Sequence, residues 1–386
     1  MLYFNFLYSP DGGGYQNSAS FLSSLVNLKY DFTNVCALVY KGTSIHEMCK
    51  RHGIQHRAIK KNVISKLLFE LFSIRFVKKG DVVFSIFGPP MLLSKKYSLN
   101  VGGMAISNVL YPDIDFWAHL SFLKRMFKKV KDRYRVARYR SLDYFIFETE
   151  LLREKAINQM GIPRKRTFVV NMSPSTLVSP EMIQASPAAN LIAERKLSNK
   201  FLFLCGPHPN KRLHVLPDIA LKLSSAGIDF KFILTCKSSP YLESVFCRAK
   251  SLGVSDYFLN VGSVKAEDVA GVIDVCDYLC CFSVLESFSN NFVEAWAMSK
   301  PLMVTDSDWS RSSCRDGAIY LDLSSLDVCV DQILSVISDS ILIKRTIEKG
   351  REVLQEYPSS IRKAEEYLQV IDVARRSGKP QDASFL

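Results

Sequence analysis

The ten cysteines of this 386-residue chain form no CxxC pair, so the paired spacing of a structural zinc site is missing. Cys205, Cys236, Cys280 and Cys281 sit inside strand-like runs instead. A chain of this size has no need of a disulfide scaffold, and a reducing cytoplasm fits best. The start, MLYFNFLYSPDGG, lacks the basic n-region and long apolar stretch of a secretory signal. No run approaches the roughly 18 apolar residues of a membrane span. The glycines in SPDGGGYQN do not spell GxGxxG, which leaves a dinucleotide fingerprint without support. His119, His208 and His214 have no metal spacing with carboxylates. Asp113–Ile114–Asp115 is followed by helix-like sequence rather than following a strand, so no divalent-metal site is expected there. No Ser-His-Asp or Cys-His arrangement can be read.

What is present is apolar and basic. The length exceeds one ordinary core and suggests two domains. With 48% apolar and 11% aromatic residues the chain is a packed globular protein. Its net charge of +12 points to anionic partners: nucleotide phosphates, nucleic acid or an anionic membrane face. Short apolar runs alternate with helix-period segments. The first set of strands is Leu2–Tyr8, Asn34–Tyr40, Asp81–Phe87, Asp143–Phe147 and Thr167–Val170. The glycine-bearing stretch SPDGGGY reads as a loop and Gln16–Leu28 as the first helix. A second set runs through Phe201–Cys205, Phe230–Thr235, Tyr257–Val261, Tyr278–Phe282, Pro301–Thr305 and Ile319–Leu321, with a helix over Arg212–Ala226 and others at about 241–252 and 266–275. Strand–helix alternation predicts parallel sheets covered on both faces. The expected division is an N-terminal domain over 1–171, a Ser/Pro/Ala-rich linker over 172–196, a C-terminal domain over 197–357 and a closing segment over 358–386. The amphipathic end of the chain, Ser359–Ser377, is expected to cross back onto the first domain.

The segment CDYLCCFSVLESFSNNFVEAWAMSKPLMVTD, 276 to 306, carries the chemistry. An apolar strand ends at Glu286, in the place where open α/β sheets bind ligands. Ser289 and Asn290 suit the N-cap of a helix, whose first amides form an anion site. Glu294 lies one turn inside that helix. A carboxylate, phosphate-binding amides and a second carboxylate in this order suit a nucleotide sugar, with hydroxyls at both ends of a diphosphate. The plainer reading is a loop carboxylate and a solvated helix residue. Glu294 is followed by an apolar helix and a strand, where a carboxylate needs a partner.

The same segment resembles the E-x7-E motif of the retaining GT-B glycosyltransferases of family four. The matching residues are Glu286, Ser287, Phe288, the turn at Ser289 and Asn290, Glu294, Ala295, Pro301 and Asp306. CGPHPNKRLHVLPDIALKL, 205 to 223, resembles the family's glycine turn, with Lys211 in place of the diphosphate-binding lysine. FLNVGSVKAEDVAGVIDVCDYLCC and SDWSRSSCRDGAIYLD resemble further family stretches. The likeness is good over about 200–322 and much weaker before 170. It implies two Rossmann-like doubly wound domains facing across a cleft, with the donor in the C-terminal one. The implied donor residues are Lys211, Arg212, Gly262, Ser263, Glu286, Ser289, Asn290, Asn291 and Glu294. Lys211 and Glu286 are the implied catalytic pair. No metal and no cofactor are expected, because positive side chains and helix N-termini stabilise the leaving group. Gly12, Gly13 and Gly14 would form a loop towards phosphates and acceptor, or else a flexible turn. Pro207 stands where many members have Arg, and Ser287 where most have Gly. The N-domain strand DVVFSIFGPP has no His at its end.

The stretch LKRMFKKVKDRYRVARYR, 123 to 140, holds nine Lys or Arg against one Asp, interleaved with Met126, Phe127, Val130 and Tyr134. It is either a solvated face or a basic amphipathic helix for an anionic membrane, with Arg125, Lys128, Lys129 and Lys131 as contacts. Nucleic acid is not expected, since no binding motif accompanies the charge. The resemblance therefore implies hexose transfer to a glycan or lipid-linked glycan in bacterial polysaccharide or O-antigen assembly, at the inner face of a membrane. A GT-B-like nucleotide-sugar epimerase, or a non-catalytic lipid- or nucleic-acid-binding protein on the same fold, remain as alternatives.

Overall fold

A computed structural model describes residues 1–10, 12–195 and 198–380. Asp11 in the expected glycine loop, Lys196 and Leu197 at the expected linker's end, and the tail from 381 lie outside the described residues. The chain divides into two compact units, Met1–Ser173 with the segment from Pro358 onwards, and Pro174–Tyr357.

The first unit is built on a seven-stranded sheet: β1 (Leu2–Asn5), β2 (Val35–Tyr40), β3 (His56–Ile59), β4 (Val82–Ser85), β5 (Leu99–Gly103), β6 (Tyr144–Phe147) and β7 (Thr167–Val169). The spatial order is β3-β2-β1-β4-β5-β6-β7, and all neighbouring pairs are parallel. Leu2 stands opposite both Val35 and Val82, so β1 is central. Leu2, Phe4 and Phe84 face one core and Tyr3, Leu38 and Val83 the other. Strands buried on both faces are apolar throughout, which is why β1, β2, β4 and β6 are readable as runs. The helix Ser360–Ser377 packs on the helix Gly12–Asn27 of this unit. Its Tyr367 ring meets Phe21 edge-on at 5.6 Å between centroids.

Two strands escape the sequence reading. β3, HRAI, is an edge strand and only half-buried. β5 ends in Gly102 and Gly103, residues that disfavour a strand by propensity. A Cβ on Gly103 would lie 1.7 Å from the Ile86 carbonyl oxygen, so close backbone approach requires glycine there. The expected glycine loop is also corrected. Gly12, Gly13 and Gly14 form the first turn of the helix Gly12–Asn27, not a loop before it. Gly14 packs so closely on Ser9 that an added Cβ would come within 2.9 Å of the serine side chain.

The second unit carries β8 (Lys200–Phe203), β9 (Lys231–Leu234), β10 (Phe258–Asn260), β11 (Tyr278–Cys281), β12 (Leu302–Thr305) and β13 (Ile319–Leu321). Their order is β10-β9-β8-β11-β12-β13, again all parallel. The stretch expected as a linker over 172–196 falls largely inside this unit, which begins at Pro174, and its helix Pro187–Ala193 packs on the helix Val269–Asp274. The expected helix Arg212–Ala226 begins later, at Leu216. Arg212 instead sits at φ 51° between two 3-10 turns, a left-handed conformation uncommon for a side chain of that size.

Candidate active site in the C-terminal unit

In the second sheet the strand order reverses between β8 and β11. Loops leaving adjacent strands at such a switch point part to form a crevice, where ligands of parallel sheets bind. Here the two loops are 204–212 and 282–289. They are tied together by Asn210. Its backbone oxygen accepts from the Val284 amide at 2.8 Å. Its side-chain amide donates to the Leu285 oxygen at 2.9 Å and accepts from the Leu285 N–H at 3.2 Å. The following side chain, Lys211, places Nζ 2.5 Å from Glu286 Oε1. Burial alone would lower the Lys211 pKa, but the Glu286 carboxylate outweighs it and holds the ammonium above its usual range. A quarter of the Lys211 side chain remains exposed, so the pair is open to a ligand.

The helix Asn290–Ala297 starts beside this pair. Ser289 occupies the N-cap position with extended backbone, but its hydroxyl makes no capping bond. The Asn291 amide group donates to the Leu204 oxygen at 3.2 Å, which docks the helix start against the loop after β8. Glu294 lies on this helix and is only 5% exposed. No hydrogen bond or ion pair reaches its carboxylate among the described residues. Burial pushes its pKa up to about 7. An unpartnered buried carboxylate is costly to ionise, and the upward shift favours its neutral form.

Arg212 follows Lys211 in the chain and is half-buried; burial lowers its pKa, with Asp322 acting the other way. Gly262 and Ser263 stand apart, after β10 at the sheet edge. Gly262 has φ 75° with open space where a Cβ would be, and its N–H donates to the Asn260 side chain at 3.3 Å. Ser263 is exposed. No hydrogen bond joins either to Lys211 or Glu286 among the described residues. Asn210 went unnoticed in the sequence, although its place directly before Lys211 was the available signal. Among the described residues no group of three or more His, Cys, Asp or Glu is placed to hold a metal.

In the first unit the basic stretch forms the helix Phe122–Arg140. Arg125 is not free, since it pairs with Asp115. Lys128 lies over the Trp117 ring, 4.8 Å from its centroid. Lys129 and Lys131 are exposed. So are Phe122, Leu123, Met126, Phe127, Val130 and Tyr134, an apolar stripe that charge counting alone does not reveal.

Both units match solved glycosyltransferase structures of the GT-B fold. Sucrose-phosphate synthase from Thermosynechococcus elongatus aligns over 98% of this chain and 99% of its own, at 12% identity and a TM-score of 0.72. WaaG, a glycosyltransferase involved in lipopolysaccharide biosynthesis, aligns over 96% and 99% at 12% identity, TM-score 0.69. Anabaena HepE in complex with UDP-glucose aligns over 96% and 99% at 13% identity, TM-score 0.68. No curated protein matches the chain by sequence. The fold is thus that of the GT-B glycosyltransferases. Residues 189–353, within the C-terminal unit, match the family model of the glycosyl transferases group 1.

Proposed function

We propose that the protein transfers a hexose or related sugar from a nucleoside-diphosphate donor to a glycan or lipid-linked glycan, with retention of configuration. The observation that carries this reading is the Lys211–Glu286 pair at the switch point, with unpartnered Glu294 eight residues further along. Lys211, with Arg212, neutralises the departing diphosphate. The amides at 289–291 add the positive end of a helix. Glu286 holds hydroxyls of the transferred sugar, and Glu294 accepts from the ribose hydroxyls. In this scheme side-chain and helix-end charge takes the place of a metal as leaving-group stabiliser. The UDP-glucose bound to HepE is support by analogy for a nucleotide-sugar donor. A binding screen of the common UDP-, GDP- and dTDP-sugars, followed by mass analysis of the products, tests the reading. Binding of none of them would remove it.

Asn210 acts through Glu286, by fixing the loop that carries it. Asn210→Ala is expected to cost about 1–3 kcal/mol of stability and to lower turnover of the donor. Chemical denaturation and a donor-consumption assay read the two effects. Unchanged turnover in a destabilised variant would leave Asn210 a purely structural residue.

A peripheral membrane role accompanies this function. No helix among the described residues is long and apolar enough to cross a membrane, while the helix Phe122–Arg140 presents an apolar stripe between cations. Neutralising Arg125, Lys128, Lys129 and Lys131 is expected to weaken binding to anionic vesicles by about 1 kcal/mol for each charge near the surface. Lys129 and Lys131 should account for most of it, because Arg125 and Lys128 are engaged within the protein. Vesicle flotation at low salt measures this, and unchanged flotation would make the stretch a solvated face.

A further inference from the structure

The N-terminal sheet has a switch point of its own, between β1 and β4. The loops leaving these strands contribute Tyr8 and Gly88 to a pocket of about 640 Å³ within the first unit, a volume that suits a small ligand. Gly88, at φ 150°, is demanded by that packing: a Cβ there would fall 2.4 Å from the Tyr8 ring. The charged residues lining the pocket are all cationic, namely Lys66, Lys131, Arg135 and Arg138, and no carboxylate joins them.

Two of the four are neutralised inside the protein. Arg138 pairs with buried Glu70 at 3.1 Å, and Arg135 with Asp132 at 3.1 Å. Arg138 also donates to the Tyr8 hydroxyl at 3.1 Å, which holds that ring in place. Lys66 is different. Its Nζ lies 3.8 Å from the centroid of the Tyr8 ring and meets no hydrogen-bond acceptor among the described residues. Burial there pushes its pKa down to about 8, against the pull of Glu70. Lys131 is exposed and makes no ion pair among the described residues. The pocket therefore carries two uncompensated positive charges and complements an anion such as a phosphate.

The surroundings of that anion site are apolar. The helix Val63–Phe72, which supplies Lys66, exposes Ile64 at 72% and Leu67 at 48%. The helix Phe122–Arg140, which supplies the other three cations, exposes Phe127 at 71% and Val130 at 58%. Exposed apolar faces of this kind mark a binding surface. A soluble sugar phosphate would use the cations and leave both faces uncovered. A lipid phosphate uses both features.

We propose that this pocket binds the phosphate of an acceptor glycan linked through phosphate to a lipid, whose hydrocarbon chain leaves over the exposed faces of the two helices. The inference rests on the glycosyltransferase reading and names the acceptor class. Titration calorimetry with dodecyl phosphate, inorganic phosphate and a set of UDP, GDP and dTDP tests it. The proteins are the wild type, Lys66→Gln and the double variant Ile64→Ser/Leu67→Ser. Wild type should bind dodecyl phosphate at least about tenfold more tightly than inorganic phosphate. Lys66→Gln should lose about tenfold of that affinity, the scale of one charge-assisted contact. The double variant should lose affinity for dodecyl phosphate and keep that for inorganic phosphate. Both variants should bind nucleoside diphosphate as wild type does. Equal binding of dodecyl phosphate by wild type and Lys66→Gln would overturn the proposal. So would a hydrocarbon chain that adds nothing over inorganic phosphate. A wild type that binds the alkyl phosphate but no nucleoside diphosphate would overturn the glycosyltransferase reading, and the acceptor role with it, while keeping the lipid-phosphate site.

Discussion

Replacing Lys211 by alanine should lower turnover of the nucleotide sugar by about 10²–10³-fold, the cost of removing one preorganised charge from a site where negative charge develops. Affinity for the bare nucleoside diphosphate should fall as well, by about 1.5–3 kcal/mol for a charge-assisted contact. Two losses combine. The phosphate loses a cation, and Glu286 loses the ammonium 2.5 Å away that screens it. An unscreened carboxylate beside a diphosphate adds repulsion to the lost attraction. Lys211→Arg keeps the charge but not its compact shape, and should recover part of the affinity. Calorimetry with nucleoside diphosphate and an assay of donor consumption separate binding from turnover. Equal affinity of wild type and Lys211→Ala for the diphosphate would remove this residue from the site.

Glu294 should show opposite effects on stability and on binding. Its folded pKa is raised to about 7, against 4.5 for an exposed glutamate, and burial is the cause. Below pH 4.5 the carboxyl is neutral in both states, and its contribution to stability is fully present. As pH rises through the folded value the contribution is lost, up to about 3 kcal/mol. Glu294→Gln removes that penalty. Without ligand, its unfolding temperature should lie several degrees above wild type at pH 8 and match it near pH 4.5. Nucleotide binding should move the other way, weakened by roughly 1–3 kcal/mol through the lost ribose contact. Only the ionised carboxylate accepts from the ribose hydroxyls with both oxygens and its full charge, so wild-type affinity should rise, by up to about tenfold, between pH 6 and pH 8. The diphosphate titrates too, and comparison with Glu294→Gln cancels that part. Parallel pH profiles in the two proteins would show that Glu294 does not touch the nucleotide.

The strands that could be read from the sequence are those whose faces are both buried. YLCC of β11 and LMVT of β12 are continuous apolar runs because helices cover both sides of the sheet. The glycines of β5 and of 12–14 were misleading for one reason. Glycine by propensity signals a loop, whereas at Gly103 and Gly14 it answers close contact with Ile86 and Ser9, residues distant in sequence or outside the element. The site was legible where spacing within one segment defines it, as for Glu286, Ser289 and Glu294. The direct contacts within it were not, although the resemblance named Lys211 and Glu286 together. Lys211 and Asn210 reach Glu286 across 75 and 76 positions, and only the parallel pairing of β8 with β11 brings them together. The same holds for Tyr8 and Arg138, which meet across 130 positions.

The most direct test of the donor site is Glu286→Gln, assayed with a turned-over nucleotide sugar and with the matching bare nucleoside diphosphate. The substitution keeps size and one acceptor oxygen but removes the charge. The bare diphosphate has no sugar for Glu286 to hold, so its affinity should not fall, and the loss of a carboxylate paired with Lys211 should if anything raise it. Turnover should fall by at least about 10²-fold, because the lost charge acts where positive charge develops at the anomeric carbon. Full turnover in Glu286→Gln would contradict the assigned role of the Glu286–Glu294 pair and of the site built around it.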